Sequence, residues 1–372
     1  MSVEDDKLLY RMAFASLRGM NVTVAREWLQ RIGTEREFFQ YGQRELSALY
    51  GVSHGLFNDS VRSAALDDAR KEMDFVYAHG VRCLYFTDED YPYRLLQCED
   101  APAMLYVLGS CDLNGPQILA VVGTRHATPY GIDFTGKMIK TLGESCDATT
   151  TIVSGLAFGI DIAAHRDAIR NELPTVAVLA HGLNTIYPAV HRQSAADIVK
   201  SGGALVTEYL TSSPIHKGNF LARNRIVAGL SDAVAVVESA AKGGALATAR
   251  LASEYNRDVF ALPGRINDTY SQGCNHLIST HVAHLLTDAE AIVDSMSWPR
   301  RAIEEPVQQQ LFLSLSPEEE CIMQQLAQGD MLSLSRLVVA TGIPVGRLLA
   351  MLVNLECKGL VLKYPGSNYR QA

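Results

Sequence analysis

The amino-acid sequence predicts an α/β protein built on a Rossmann-like, doubly wound and mostly parallel sheet, with an N-terminal helical domain and a C-terminal winged-helix domain. Three observations carry that expectation. From about residue 115 to 290, short apolar runs alternate with longer stretches of helical rhythm: "ILAVVG" (118–123), "TTIVSG" (150–155), "TVAVLA" (175–180), "GALVTE" (203–208), "AVAVVE" (233–238) and "DVFALPG" (258–264). Runs of Val, Ile, Leu and Ala without polar alternation suit strands buried on both faces, and strand-helix alternation implies a parallel sheet. Several runs end in glycine, directly at Gly123, Gly155 and Gly264 and a few residues on at Gly182 and Gly243–Gly244. Strand carboxyl ends share one edge of such a sheet, so these turns are expected to line a common crevice where a ligand sits.

The elements follow in order. Residues 1–75 are polar and helical in rhythm. In "LRGMNVTVAREWLQRIG" and "LYGVSHGLFNDSV" a glycine turn separates apolar helical segments. This suits a helix-hairpin-helix or SAM-like domain, or equally a helical cap on the next domain. Residues 76–295 form the extended Rossmann-like domain. Residues 296–316 lack periodicity and carry Pro and Gln, as a linker does. Residues 317–372 read as the winged-helix domain. Ser316 and Glu319 supply a capping box with Pro317 at the first helical position. Two further helices surround a turn at Gly342, the second starting near Pro344 with Val345, Leu348, Leu352 and Leu355 on one face. A hairpin turning at Pro365–Gly366 closes the module.

Composition narrows the function classes. With 372 residues, 48% of them hydrophobic, the chain has ample material for a sizeable core. No window approaches the roughly 18 uncharged apolar residues of a membrane helix, and "MSVEDDKLLY" is acidic, so a cytoplasmic protein without membrane contact is expected. The seven cysteines are scattered, without zinc-ligand spacing, and read as reduced thiols. A net charge of −8 argues against coating nucleic acid over the whole surface. It leaves room for a focused positive cleft, because a local field depends on nearby charges.

"AVVGTRHATPYG" reads as strand, tight turn and helix, so turn amides can meet an anion. It is not GxGxxG. Only Gly123 and Gly131 are present, and Asp147 precedes the second strand, where a ribose-binding acid belongs at that strand's far end. A dinucleotide cofactor is not expected. Arg125 adds a full charge at the turn. "SGLAFGIDIAAHRDAI" is a glycine-rich turn with Asp161 in the first helical turn, which capping alone would explain, and His165 reads as a packing or surface residue. No Ser/His/Asp order, paired carboxylates or HExxH motif appears, so no catalytic residue, metal or cofactor is assigned.

"PIHKGNFLARNRIVAGLSD" (214–232) is the basic stretch of this acidic chain: between Glu208 and Asp232 the only formal charges are Lys217, Arg223 and Arg225. As a helix starting near Asn219 it places Lys217 just before the helix and Phe220, Arg223 and Asn224 on one face. Arginine matches phosphate with a planar fork, and an exposed phenylalanine offers a face on which any base stacks. Together with Arg125 this composes a single-strand reader. The alternative is a solvated basic face with Phe220 in the core. Residues 317–372, by contrast, carry five cations and five acids. Non-specific DNA affinity comes from phosphate neutralisation, so a protein-interaction role is as well supported there as duplex binding.

From "YFTDEDYPYRLL" (85–96) to "LLTDAEAIV" (285–293), the ordered motifs include "VVGTRHATPYG", "SGLAFGIDIAAHR", "HGLNTIYPAVHR", "GNFLARNRIVAGLSDAVAVVE", "TARLASEYNRDVFALPG" and "QGCNHLI". With these the chain resembles the DNA-processing protein A family, DprA or Smf. The resemblance implies a non-enzymatic, dimeric protein that binds single-stranded DNA during natural transformation and recombination and loads RecA recombinase onto it. It assigns the DNA pocket to Arg125, Lys217, Phe220, Arg223, Asn224 and Arg225, with Gly123, Thr124 and Gly155 in the surrounding turns. Three departures stand out. Thr124 replaces the serine of the family's GSR turn, Phe158 replaces an arginine, and "GGALATA" (243–249) lacks two serines. Two other readings make different predictions. A phosphoribohydrolase-type enzyme would use Glu208 or Glu238. A pure adaptor would act only through the terminal modules.

Overall fold

The computed structural model describes residues 3–147, 149–301, 315–327, 331–364 and 366–371. It begins with helices α1 (Val3–Ala15), α2 (Val22–Ile32), α3 (Glu35–Gln40), α4 (Gln43–Tyr50) and α5 (Asp59–His79). Phe14, Trp28, Phe38, Tyr50 and Phe57 meet in one aromatic cluster. The boundary expected at residue 75 falls inside α5, and these helices share an apolar core with the sheet that follows. Polar ties add to that packing: Arg11 pairs with Asp88 at 2.8 Å, and the Val22 N–H donates to the Ala101 carbonyl at 2.8 Å. The helical segment is therefore a cap integrated into the larger unit, Met1–Ala302, rather than a body of its own.

The strands are β1 (Arg82–Tyr85), β2 (Met104–Gly109), β3 (Gln117–Gly123), β4 (Thr150–Ser154), β5 (Thr175–Val178), β6 (Ala204–Thr207), β7 (Ala233–Val237), β8 (Asp258–Ala261) and β9 (His284–Leu285). All six predicted runs are strands. They lie in one sheet of order β1-β2-β6-β5-β4-β3-β7-β8-β9, parallel except at β1 and β2. The connecting helices are α6 (Tyr93–Leu96), α7 (Pro129–Ser145), α8 (Ile160–Arg170), α9 (Arg192–Lys200), α10 (Lys217–Leu230), α11 (Gly244–Glu254), α12 (Gln272–Ser279) and α13 (Ala289–Ser295). Strand residues alternate between two cores: Ile118, Ala120 and Val122 join one, Leu119 and Val121 the other. That alternation inside an unbroken apolar run is what two helical layers require.

The start of the predicted linker also departs from expectation. Trp298 is buried in the second core, the Asp147 N–H donates to the Pro299 carbonyl, and the Arg301 N–H donates to the Ser145 carbonyl. Proline and polar composition hide this strap, because one tryptophan anchors it. Residues 302–314 of the predicted linker lie outside the described residues.

The second unit, described by itself, holds α14 (Pro317–Leu326), β10 (Leu332–Ser333), α15 (Leu334–Thr341), α16 (Val345–Cys357), β11 (Val361–Tyr364) and β12 (Asn368–Gln371). The Ser316–Glu319 capping box forms. Leu348, Leu352 and Leu355 are fully buried, but Val345 is exposed, since the first turn of α16 extends past the core. Of the expected turn, Pro365 lies outside the described residues, and Gly366 has φ of 82°.

Candidate nucleic-acid interface

The winding of the sheet fixes where a ligand can approach. From β3 the chain moves outward through β4, β5 and β6, then returns to pair β7 on the other side of β3. The carboxyl ends of β3 and β7 therefore flank the topological switch point, the place where open α/β sheets leave a crevice. A cavity of about 330 Å³ opens there, and Gly123, Thr124, Arg125, Phe220, Arg223 and Asn224 are among its lining residues.

The turn after β3 is held by backbone geometry. The Thr124 N–H donates to the Glu238 carbonyl at 2.8 Å, and the Thr124 hydroxyl accepts from the His126 N–H at 3.1 Å. A Cβ at Gly123 would overlap the Val237 carbonyl and the Ile160 side chain, so only glycine lets the strands and α8 approach this closely. Arg125 emerges exposed from that turn, its guanidinium 5.9 Å from the Phe220 ring centroid. Phe220 is half-buried, not in the core, and meets Tyr187 edge-on at 5.6 Å. Helix α10 starts at Lys217, two residues earlier than expected, because the His216 ring caps it by accepting from the Gly218 N–H at 3.0 Å. Lys217 is exposed in that first turn, three positions before Phe220.

The two arginines of α10 part company. Arg223 is buried, donating to the Gly155 carbonyl at 2.7 Å and also to the Val178 carbonyl. A Cβ at Gly155 would collide with that guanidinium, so this glycine exists to admit Arg223. Asp161 lies beside it, accepting from the Gly155 and Ala157 N–H groups at 3.2 and 3.4 Å. Burial pushes the Asp161 carboxyl up and the Arg223 guanidinium down, and each charge partly restores the other. Arg223 thus forms the floor of the crevice. Arg225 points elsewhere: it pairs with Glu208, both side chains 16% exposed, and borders a different surface that includes Asn21, Asp100 and Ala222. Of the nine residues predicted for the site, seven lie at or beneath the crevice, Lys217 stands exposed at the helix entry, and Arg225 is separated from Arg125.

Sequence reasoning overlooked several lining residues. His126, Ser239, Thr248 and Tyr270 border the cavity, and α11 aims its uncapped amino terminus, Gly243 to Ala245, into it. Ser239 brings a hydroxyl to the lining from outside "GGALATA", and Thr248 is the one hydroxyl that stretch itself contributes. Lys242 lies exposed in the turn just before α11. Phe158 is 47% exposed and packs edge-on against His191 at 4.9 Å. The signal for most of these was faint, since a turn after a strand positions them and no motif does.

The two candidate catalytic acids are both engaged. Glu238 adopts φ of 58° and accepts from the Thr128 N–H at 2.8 Å and from its hydroxyl at 2.5 Å, which tethers the start of α7. Glu208 is consumed by Arg225. His165 is buried, its Nδ1 2.7 Å from the Thr175 hydroxyl. No group of three or more His, Cys, Asp or Glu side chains among the described residues is arranged to hold a metal. No single helix among them is long and apolar enough to cross a membrane. What the crevice offers is a rim cation, an aromatic face, hydroxyls and converging amides, the groups that meet a phosphate with a base attached.

Comparison with known proteins agrees with this geometry. Residues 82–297 match the family model of DNA recombination-mediator protein A, and residues 306–367 match the DprA winged helix domain. Protein Smf of Synechocystis sp. is 35% identical over 318 aligned residues, covering 76% of this chain and 78% of that protein. The X-ray structure of DNA processing protein A from Streptococcus pneumoniae aligns at 31% identity and TM-score 0.64, covering 79% of this chain and 98% of that one. A structure of DNA processing protein A from Helicobacter pylori, described in terms of its single-stranded DNA binding mode, aligns at 31% identity and TM-score 0.52, covering 58% and 95%.

Proposed function

The chain belongs to the DNA recombination-mediator protein A family, and from that membership we propose that it binds single-stranded DNA in the crevice between β3 and β7. It acts as a homodimer through the Rossmann-like domain and loads RecA recombinase onto the bound strand, in natural transformation and homologous recombination. The observation that carries this reading is the pairing of Arg125 with Phe220 across 5.9 Å at the mouth of the cavity. A phosphate held by Arg125 brings its base over the phenyl face, and any base stacks there, which favours a reader without sequence preference. Lys217 adds a mobile charge at the helix entry, and the α11 amides face the same phosphate path. The Helicobacter pylori relative's described binding mode supports the same ligand. The protein binds and delivers the strand rather than cutting it, because Glu208 and Glu238 already serve structural partners.

The test is fluorescence anisotropy with a labelled homopolymer against a duplex control over a salt series. If Arg125 and Lys217 neutralise one phosphate each, log affinity falls with log salt with a slope of about −1.4, from about −0.7 per single-strand phosphate. Arg125→Ala and Lys217→Ala are each expected to flatten that slope. Equal affinity for duplex, or a flat salt response, contradicts the proposal. Incubation with nucleoside monophosphates is expected to release no base.

A further inference from the structure

A second cavity of about 1000 Å³ lies next to the first. Tyr270 lines both, and its ring stacks on His126 with centroids 6.1 Å apart and planes 24° from parallel. This aromatic pair forms the ridge between the two cavities. The volumes fall within the roughly 300–1,000 Å³ range of small-ligand sites. Tyr130 and Pro263 supply apolar wall to the second cavity, and the Tyr130 hydroxyl donates to the Pro263 carbonyl at 3.0 Å, which fixes the ring. Asn267 and Asp268 add hydrogen-bonding edges of both kinds. Arg265 is exposed and makes no ion pair among the described residues. The loop is pinned at its base, where Asn275 exchanges hydrogen bonds with Gly264 at 3.2 and 2.9 Å.

We propose that this second cavity seats the next base of the same single strand, which crosses the His126–Tyr270 ridge after leaving the Arg125–Phe220 mouth. The inference rests on the strand-binding reading above and extends it to a second nucleotide subsite. A phosphate is the wrong occupant of the cavity itself, because the carboxylates of Glu238 and Asp268 line it beside the rings of Tyr130 and Tyr270. A nucleobase fits: it stacks on an aromatic wall, and its polar edge meets an amide and a carboxylate. Arg265 at the rim takes the phosphate that follows.

The test uses the full chain and a length series of fluorescent oligothymidylates from dinucleotide to dodecamer. In the variant Arg265→Ala/Asn267→Ala, oligomers too short to span the ridge are expected to bind as to wild type. Those that reach both cavities lose about tenfold in affinity, the loss of the Asn267 contact to the base edge and the Arg265 contact to the phosphate. Both substituted side chains are exposed in a loop, and the melting temperature checks that the fold persists. Unchanged affinity at every length overturns the inference, and so does an equal loss at every length. Wild-type protein that binds no oligothymidylate at all overturns the strand-binding reading itself, a distinct failure. A second measurement needs no variant: a strand carrying 4-thiothymidine is photocrosslinked to wild type and mapped by mass spectrometry. Attachment at Tyr130 or within residues 265–270 is expected, and its absence while other crevice residues crosslink contradicts the second subsite.

Discussion

Arg223 and Arg225 are two positions apart on one helix, and the sequence presents them as equivalent cations. Burial separates them. Arg223 satisfies two carbonyls and neutralises the buried Asp161, so Arg223→Ala is expected to destabilise the protein by about 3 kcal/mol, leaving an unpaired carboxylate in the crevice floor. Urea unfolding checks this, with Arg125→Ala as the surface control expected to fall within about 0.5 kcal/mol of wild type. His165 makes a separate prediction. Burial first, then the charges of Arg223 and His191, lower its pKa from the ordinary 6.5 to about 3. Between those values the unfolded chain binds the proton that the folded state refuses, so this stability is intact above pH 6.5 and lost as pH falls toward 3. His165→Gln is expected to flatten the pH dependence of unfolding across that window. Residue types and spacing made Arg125, Lys217 and Phe220 legible, since an exposed turn or helix end needs no partner to announce it. The pairing of Arg225 with Glu208 was not legible, because the contact joins a helix to a strand end that only the fold brings close.

Elements were more legible than their boundaries. Six strands were readable because burial on both faces forces apolar runs, and the glycines after them were readable because close approach excludes a Cβ. Gly155→Ala tests that link. The added methyl displaces the Arg223 guanidinium, and a loss of about 1–3 kcal/mol is expected from thermal unfolding, with weaker strand binding as the floor shifts. An unchanged melting temperature contradicts the close-packing explanation. The integration of the N-terminal helices was hidden, since their amphipathic faces look alike whether they cover one another or a sheet. Trp298 shows the same limit in reverse, because a single anchoring side chain inside a linker-like composition gives no period to read. Strands β1 and β2 escaped notice because they pair antiparallel at the sheet's edge, outside the repeating strand-helix pattern.

At the scale of the whole molecule, an acidic protein sets three exposed cations that make no ion pair among the described residues, Arg125, Lys217 and Lys242, at the turns and helix starts along the carboxyl edge of one sheet. In the second unit Arg347 and Lys358 are drawn into pairs with Glu318 and Glu319. A chain ending at Ala302 retains the first compact unit and is expected to keep strand affinity within about threefold of the full chain, measured by anisotropy. A cut at residue 76 would instead divide α5 and the shared core. The claim on which the proposed function depends is sidedness: the strand lies on the Arg125 face of α10 and not on the Arg225 face. The direct measurement is single-strand affinity across a salt series for wild type, Arg125→Ala and the charge-neutral pair replacement Arg225→Met/Glu208→Leu. The expected result is that Arg125→Ala weakens binding about tenfold and flattens the salt slope by about 0.7, while the pair replacement changes neither. A flattened slope in the pair replacement, with Arg125→Ala binding like wild type, would contradict it and move the strand to the opposite face of the helix.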